Sequence, residues 1–236
     1  MLGDAAGAWS VAVEEAVAGC LARAGVSEPP VSASDVARAL GVAIVEDRRL
    51  ATRGRCTRIG ATPLVVVAAE DRPERREWTI AHELGEILFP EIAACVAGGD
   101  VTEDRLREQV ANLFATRLLL PTLWFRSTWQ TGGGDLWALK QAFSTASHEL
   151  IAWRMLDAAP GMIVSIFDQG RLTARRGNCG AGRERLFPIE TEARQQLATR
   201  RSQCKLTRDG VCVTIWPVDE PGWQREILRL HANTDD

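Results

Sequence analysis

Tyrosine is missing from all 236 residues, and of the 28 basic residues only Lys140 and Lys205 are lysine. Without tyrosine no phenol can donate to an oxyanion, so any such role falls to another side chain, histidine first. Six cysteines, at positions 20, 56, 95, 179, 204 and 212, contain no C-x-x-C pair. That spacing excludes a zinc ribbon and a thioredoxin-like site, and the cysteines read as reduced, small core residues. No apolar run approaches membrane-spanning length, and the opening Met1-Leu2-Gly3-Asp4 lacks the basic-then-apolar pattern of a secretion signal. A cytoplasmic protein without a membrane partner is the expectation. A net charge of −3 offers no overall positive field, so direct nucleic-acid binding is not expected either. What remains is ordinary globular material, 46% hydrophobic and 25% charged, long enough for one large domain or a medium one with a small companion.

The chemistry concentrates in Thr79-Ile80-Ala81-His82-Glu83-Leu84-Gly85-Glu86. Residues four apart on a helix project from one face, so His82 and Glu86 can converge on one metal ion. In the usual H-E-x-x-H form the two histidines bind zinc and the intervening glutamate, here Glu83, acts as general base. Glu86 stands where the second histidine normally falls. A carboxylate binds zinc with about the reach of an imidazole, but it makes the ligand set harder and more negative. Taken alone, the motif also reads as a helix with an exposed histidine and solvated carboxylates.

Its surroundings argue for a site. Thr62-Pro63-Leu64-Val65-Val66-Val67-Ala68 is a β-branched run that reads as a strand leading into the motif helix, and as a possible cleft edge for an extended substrate. Downstream, Leu106, Val110, Leu113, Phe114 and Leu118 give helical periodicity that Pro121 ends. Glu108 lies off that stripe, on a face with Ala111, Asn112 and Ala115, whose small side chains permit close approach to a neighbour.

Arg75-Arg76-Glu77-Trp78-Thr79-Ile80-Ala81-His82-Glu83-Leu84-Gly85, followed by Glu108-x-x-Ala111-Asn112-x-Phe114-Ala115-x-x-Leu118-Leu119-Leu120-Pro121, resembles the core of the ImmA/IrrE metallopeptidases. Residues 30–45 are similar to the helix and strand that open that family's domain, and residues 142–156 to its closing helices. The resemblance implies a zincin-like, mainly helical domain with a small twisted sheet. It assigns His82 and Glu108 as metal ligands and Glu83 as catalytic base, and position 86 departs from the pattern. The implied activity is a metal-dependent endopeptidase using zinc, with manganese or iron admitted by two carboxylate ligands. Its implied substrate or partner is a helix-turn-helix transcriptional repressor, cut in a stress or mobile-element response. The alternative is a regulatory protein-binding module in which Glu86 has impaired catalysis.

The whole chain is therefore expected to be α+β. An N-terminal helix in residues 1–29 packs on a metallopeptidase domain of residues 30–158, and a small α+β unit of residues 159–236 follows. Helices are expected near 9–24 and from Ser32-Ala33-Ser34-Asp35 to Leu40-Gly41, with strands near 42–46, 55–60 and 63–68. Gly98-Gly99-Asp100 and Gly132-Gly133-Gly134 read as breaks, either of which could rim a cleft. Residues 136–143 and 146–156 can be read as a helix-turn-helix, but Ser147, His148 and Glu149 at the start of its second helix favour packing over base reading. His148 reads as a structural histidine, with an oxyanion role as the sharper option. In the last unit a hairpin over 162–175, a helix near 189–200, a strand over 211–216 and a short helix over 223–230 are expected. Residues 168–208 carry nine arginines and Lys205 against four acids, a solvated face or a docking surface for an acidic partner. Cys179, Cys204 and Cys212 share this unit and could form a redox or metal sensor.

Overall fold

The computed structural model describes residues 2–70, 72–96, 104–179, 185–220 and 222–232, and the chain divides into two compact units, Met1–Ser147 and His148–Asp236. Eight helices and two sheets make it α+β among the described residues. None of these helices is long and apolar enough to cross a membrane. Gly98-Gly99-Asp100 lies outside the described residues.

In the first unit, α1 (Leu2–Ala24) buries Ala12, Val13, Val17, Cys20 and Leu21 and packs on α2 (Ala33–Ala39), α3 (Pro73–Ala94) and α4 (Asp104–Leu119). Ser32 caps α2 by accepting a hydrogen bond from the Asp35 N–H, and Gly41 leaves the helix at φ +75°. Strands β1 (Ala43–Asp47), β2 (Gly54–Ile59) and β3 (Thr62–Ala68) form a sheet in the order β1-β3-β2. β1 runs parallel to β3, and β2 pairs with it antiparallel, with Cys56 opposite Val65. The apolar run Leu64 to Val67 is buried because β3 is the central strand. The edge expected at 63–68 is therefore not there; the edge strands are β1 and β2.

Pro73 starts α3 at a position that needs no N–H partner. The helix then turns its buried face, Ile80, Ala81, Leu84 and Gly85, toward α4. α4 answers with Ala111, Phe114, Ala115 and Leu118, all fully buried. Gly85 lies so close that a Cβ there would stand 2.9 Å from the Ala111 Cα and 3.1 Å from its carbonyl oxygen. The small face read around Glu108 is thus the contact that brings the two helices together. Beyond Pro121, α5 (Thr122–Thr131) is a helix closed by Gly132, and the chain turns through Gly133 and Gly134 at positive φ into α6 (Leu136–Ala142), capped by Asp135.

The second unit begins with α7 (His148–Met155), so the two segments of the helix-turn-helix reading fall in different units. Strands β4 (Met162–Asp168), β5 (Arg171–Gly177), β6 (Cys204–Arg208), β7 (Val211–Glu220) and β8 (Trp223–Ala232) make an antiparallel sheet in the order β5-β4-β8-β7-β6. α8 (Pro188–Arg200) covers one face through Ile189, Ala193 and Leu197. The helix expected over 223–230 is instead β8, the central strand of this sheet. Pairing with β4 on one side and β7 on the other buries Ile227 to Leu230 in unbroken succession. Two-sided burial removed the alternation that would have marked a strand, and non-local pairing overrode the helix-forming Gln, Arg, Glu and Leu residues. Inside the unit Arg175 pairs with Glu190 at 2.7 Å, at 4% and 0% exposure. Several of the expected surplus arginines are spent in the same way, Arg194 on Glu226 and Arg208 on Glu192.

Two consequences are measurable by urea denaturation. Gly85→Ala should lose about 1–3 kcal/mol of stability by overpacking the α3–α4 contact, and Gly85→Val more. Glu190→Ala should lose about 3–5 kcal/mol by leaving the buried Arg175 charge without its carboxylate, whereas Arg175→Met with Glu190→Leu should recover most of it.

Candidate metal centre

Every polar side chain of the centre comes from the α3–α4 pair, with β2 along one flank. His82 and Glu86 occupy successive turns of α3, and Glu108 sits in the second turn of α4. One ligand atom from each lies within 4.8 Å of the others, and among the described residues no other His/Cys/Asp/Glu group converges in this way. His82 and Glu86 are shielded, with side chains 18% and 15% exposed, while Glu108 at 61% opens to solvent.

Asn112 organises the histidine. Its Nδ2 donates to Glu108 Oε1 at 3.0 Å, one helical turn away. Its Oδ1 is then an acceptor, 3.2 Å from His82 Nδ1. With Nδ1 toward the Asn112 amide, the ring turns its Nε2 toward Glu108 Oε2, 3.6 Å away. That separation is too long for a hydrogen bond. Two carboxylates thus stand beside one imidazole nitrogen, with Arg107 against one of them, Glu86. The set suits a divalent metal by its chemistry, one imidazole nitrogen and two carboxylate oxygens.

Glu83 follows His82 on α3 and is 7% exposed. Burial pushes its carboxyl above the ordinary carboxylate range, with the charges of Glu86 and Glu108 adding to the effect. His82 and a backbone hydrogen bond from Cys56 pull the other way. A raised pKa suits a group that must take up a proton and give it back near neutrality. β2 reaches this carboxylate with its backbone because position 54 is glycine. A Cβ there would collide with the Thr79 methyl group and stand 2.9 Å from Glu83 Oε1.

Two further residues shape the centre, and the sequence shows only one of them. Asn112 lay in view as Glu108 plus four, a spacing that lets a side-chain amide reach the carboxylate. Arg107 was not legible: its Nε hydrogen-bonds Glu86 Oε2 across the helix pair, and its Nη2 reaches the Glu86 carbonyl oxygen at 3.5 Å. Only the rotation of α4 against α3 shows that the residue before Glu108 faces Glu86. The sensor reading of Cys179, Cys204 and Cys212 gains no gathered ligand group, and all six cysteines are free. His148 stands at the start of α7, in the second unit.

The family model for the IrrE N-terminal-like domain, peptidase M78, matches residues 37–154, half of the chain. That span contains His82, Glu83, Glu86 and Glu108. No curated protein gives a significant match. Among solved structures, a Mycobacterium tuberculosis transcriptional regulator is similar in fold, with a TM-score of 0.65 and 18% sequence identity. The similarity covers 93% of this chain and 75% of that one.

The tight fit at Gly54 makes a direct test of how Glu83 is held. Gly54→Ala should cost about 1–3 kcal/mol in urea denaturation, because either Thr79 or Glu83 must move. A variant as stable as the parent would show that β2 does not hold this side chain.

Proposed function

From the premise that the chain belongs to the IrrE N-terminal-like peptidase family, we propose that it is a metal-dependent endopeptidase acting on a helix-turn-helix transcriptional repressor. The family by itself supports a metallopeptidase-type or regulatory role and a dependence on metal. The finer reading rests on one observation, the convergence of His82, Glu86 and Glu108 beside the buried carboxylate of Glu83. His82, Glu86 and Glu108 would hold the metal, zinc first, with manganese or iron suited to a pair of carboxylates. Bound there, a divalent cation supplies Lewis acidity toward a peptide carbonyl and toward water.

The chain's own residues do the rest. Glu83 takes the proton from the attacking water and delivers it to the leaving amide nitrogen as the C–N bond breaks. Asn112 holds the His82 ring through its amide. The substrate backbone adds to β2, an edge strand that flanks Glu83, by main-chain hydrogen bonds that read extension rather than sequence. A folded helix-turn-helix offers no such strand, so cleavage falls in a linker or a locally opened segment of the repressor. With no tyrosine in the chain, a phenol has no part in the reaction. Six free cysteines agree with a cytoplasmic setting.

One observation favours a second reading. Glu86 is already engaged by Arg107, as a carboxylate retired from metal binding would be. On that reading the protein is a non-catalytic regulator that keeps a repressor-docking fold.

Metal content separates the two. The purified protein should carry one equivalent of divalent metal, directly or after reconstitution, measured by inductively coupled plasma mass spectrometry, and Glu86→Ala should lose most of it. Glu83→Gln should retain metal yet lose cleavage of the repressor by at least about a hundredfold. A chain that takes up no metal would sink the peptidase reading and leave the regulatory one.

A further inference from the structure

The ion pair between Arg107 and Glu86 is the feature that metal ligation by itself leaves unexplained. Position 107 precedes the ligand Glu108 on α4, and its side chain crosses to α3 rather than pointing along its own helix. It lies with its guanidinium carbon 6.0 Å from the centre of the Phe89 ring, which is itself stacked on Trp9. Arg107 is 44% exposed and Glu86 15%, so the arginine enters from the solvent side and the carboxylate presents from the interior. Arg107 Nε takes one oxygen of Glu86, Oε2, and a carboxylate has a second oxygen to offer.

The charges explain the arrangement. An imidazole ligand is neutral, and a carboxylate in its place adds a negative charge beside Glu83 and Glu108. A carboxylate paired with a guanidinium is neutral again. Resting on the metal-centre reading above, we propose that Arg107 acts through Glu86 as its charge-balancing partner, so that the two side chains together stand in for the second histidine of the motif.

Two effects of the arginine oppose each other. As a clamp it would orient Glu86 and favour metal binding; as a positive charge it repels the cation and competes with it for the carboxylate. A half-exposed side chain on a long flexible stem is a weak clamp, whereas its charge acts in every rotamer near the site. The electrostatic effect therefore wins. Arg107 loosens the hold of the pocket on a divalent cation, and it spares the site the excess negative charge that would oppose loss of a proton from water.

The test is a double-mutant cycle on metal affinity, read by competition against a chromophoric chelator with zinc and with manganese(II). The parent, Arg107→Met, Glu86→His and Glu86→His/Arg107→Met are compared, and circular dichroism confirms that each is folded. Arg107→Met should tighten both metals by about tenfold, the order expected for removing a unit charge a few ångströms away and half in solvent. Arg107→Lys, which keeps the charge without the planar fork, should stay within about threefold of the parent on the same reasoning. In the Glu86→His background the arginine has lost its anchor and swings to solvent, so Arg107→Met should change affinity by less than about threefold. Equal affinities for the parent and Arg107→Met, weaker binding in Arg107→Met, or the same change in both backgrounds would each overturn the proposal while leaving the metal centre standing. If none of the four proteins binds metal, the metal centre falls and the proposal with it.

Discussion

Backbone approaches backbone where Gly85 of α3 meets Ala111 of α4, and the chemistry of this molecule depends on that contact. With any larger side chain at position 85 the helices would stand further apart. His82 and Glu86 flank Gly85 on one helix, while Arg107, Glu108 and Asn112 flank Ala111 on the other. Moving the axes apart by the width of a methyl group would carry Glu108 away from His82 Nε2 and Asn112 away from His82 Nδ1. A second close approach, Gly54 of β2 against Thr79 and Glu83, does the same for the carboxylate proposed as base. Two glycines, neither in an unusual backbone conformation, thus set the distances from which the electrostatics follow.

Those electrostatics are costly to the apo fold. Glu83 is buried, with two further carboxylates raising its pKa and His82 opposing them. Solvent relieves Glu108, which is well exposed, but relieves Glu83 and Glu86 much less. Converging like-charged groups of this kind are found where function holds them in place, because nothing in folding alone rewards them. Asn112 has a different part. By donating to Glu108 and accepting from His82 it ties both helices to one side-chain amide and fixes which ring nitrogen faces the centre.

Much of this was legible because it rests on local spacing. A spacing of four from His82 to Glu86 fixes a shared helical face, and the small residues at 111 and 115 mark the close contact before any coordinates are known. The cap at Ser32, the stop at Gly41 and the three strands of the first unit follow from short-range chemistry in the same way. Strand order did not follow. β3 announced itself by its apolar run, yet that run signals a strand covered on both sides, and the exposed, polar β2 is the one that flanks the centre. β8 misled for a related reason, since a strand paired on both edges and buried in unbroken succession loses its period of two. Arg107 was illegible for a third reason: which residue of α4 meets Glu86 is set by the rotation of one helix on another, and spacing within one helix carries no such information.

The substitution at position 86 can now be weighed physically. A site abandoned to drift would have no reason to keep acceptors aimed at one another, because dispersing them would stabilise the fold. Here the three groups are kept together, the His82 ring is held by the Asn112 amide, and the one new negative charge is met by an arginine from the opposite helix. The first two features favour a cation at the centre, and the last, which weakens its hold, speaks to the change of ligand itself. Replacing histidine by glutamate alone would alter the charge of the pocket; replacing it by glutamate and placing Arg107 against it preserves that charge while exchanging a nitrogen donor for an oxygen. Such an exchange changes which metals are preferred, toward those that accept oxygen, more than whether a metal is held. On the metal-centre proposal, the departure from the familiar motif is a retuned ligand set rather than a lost one.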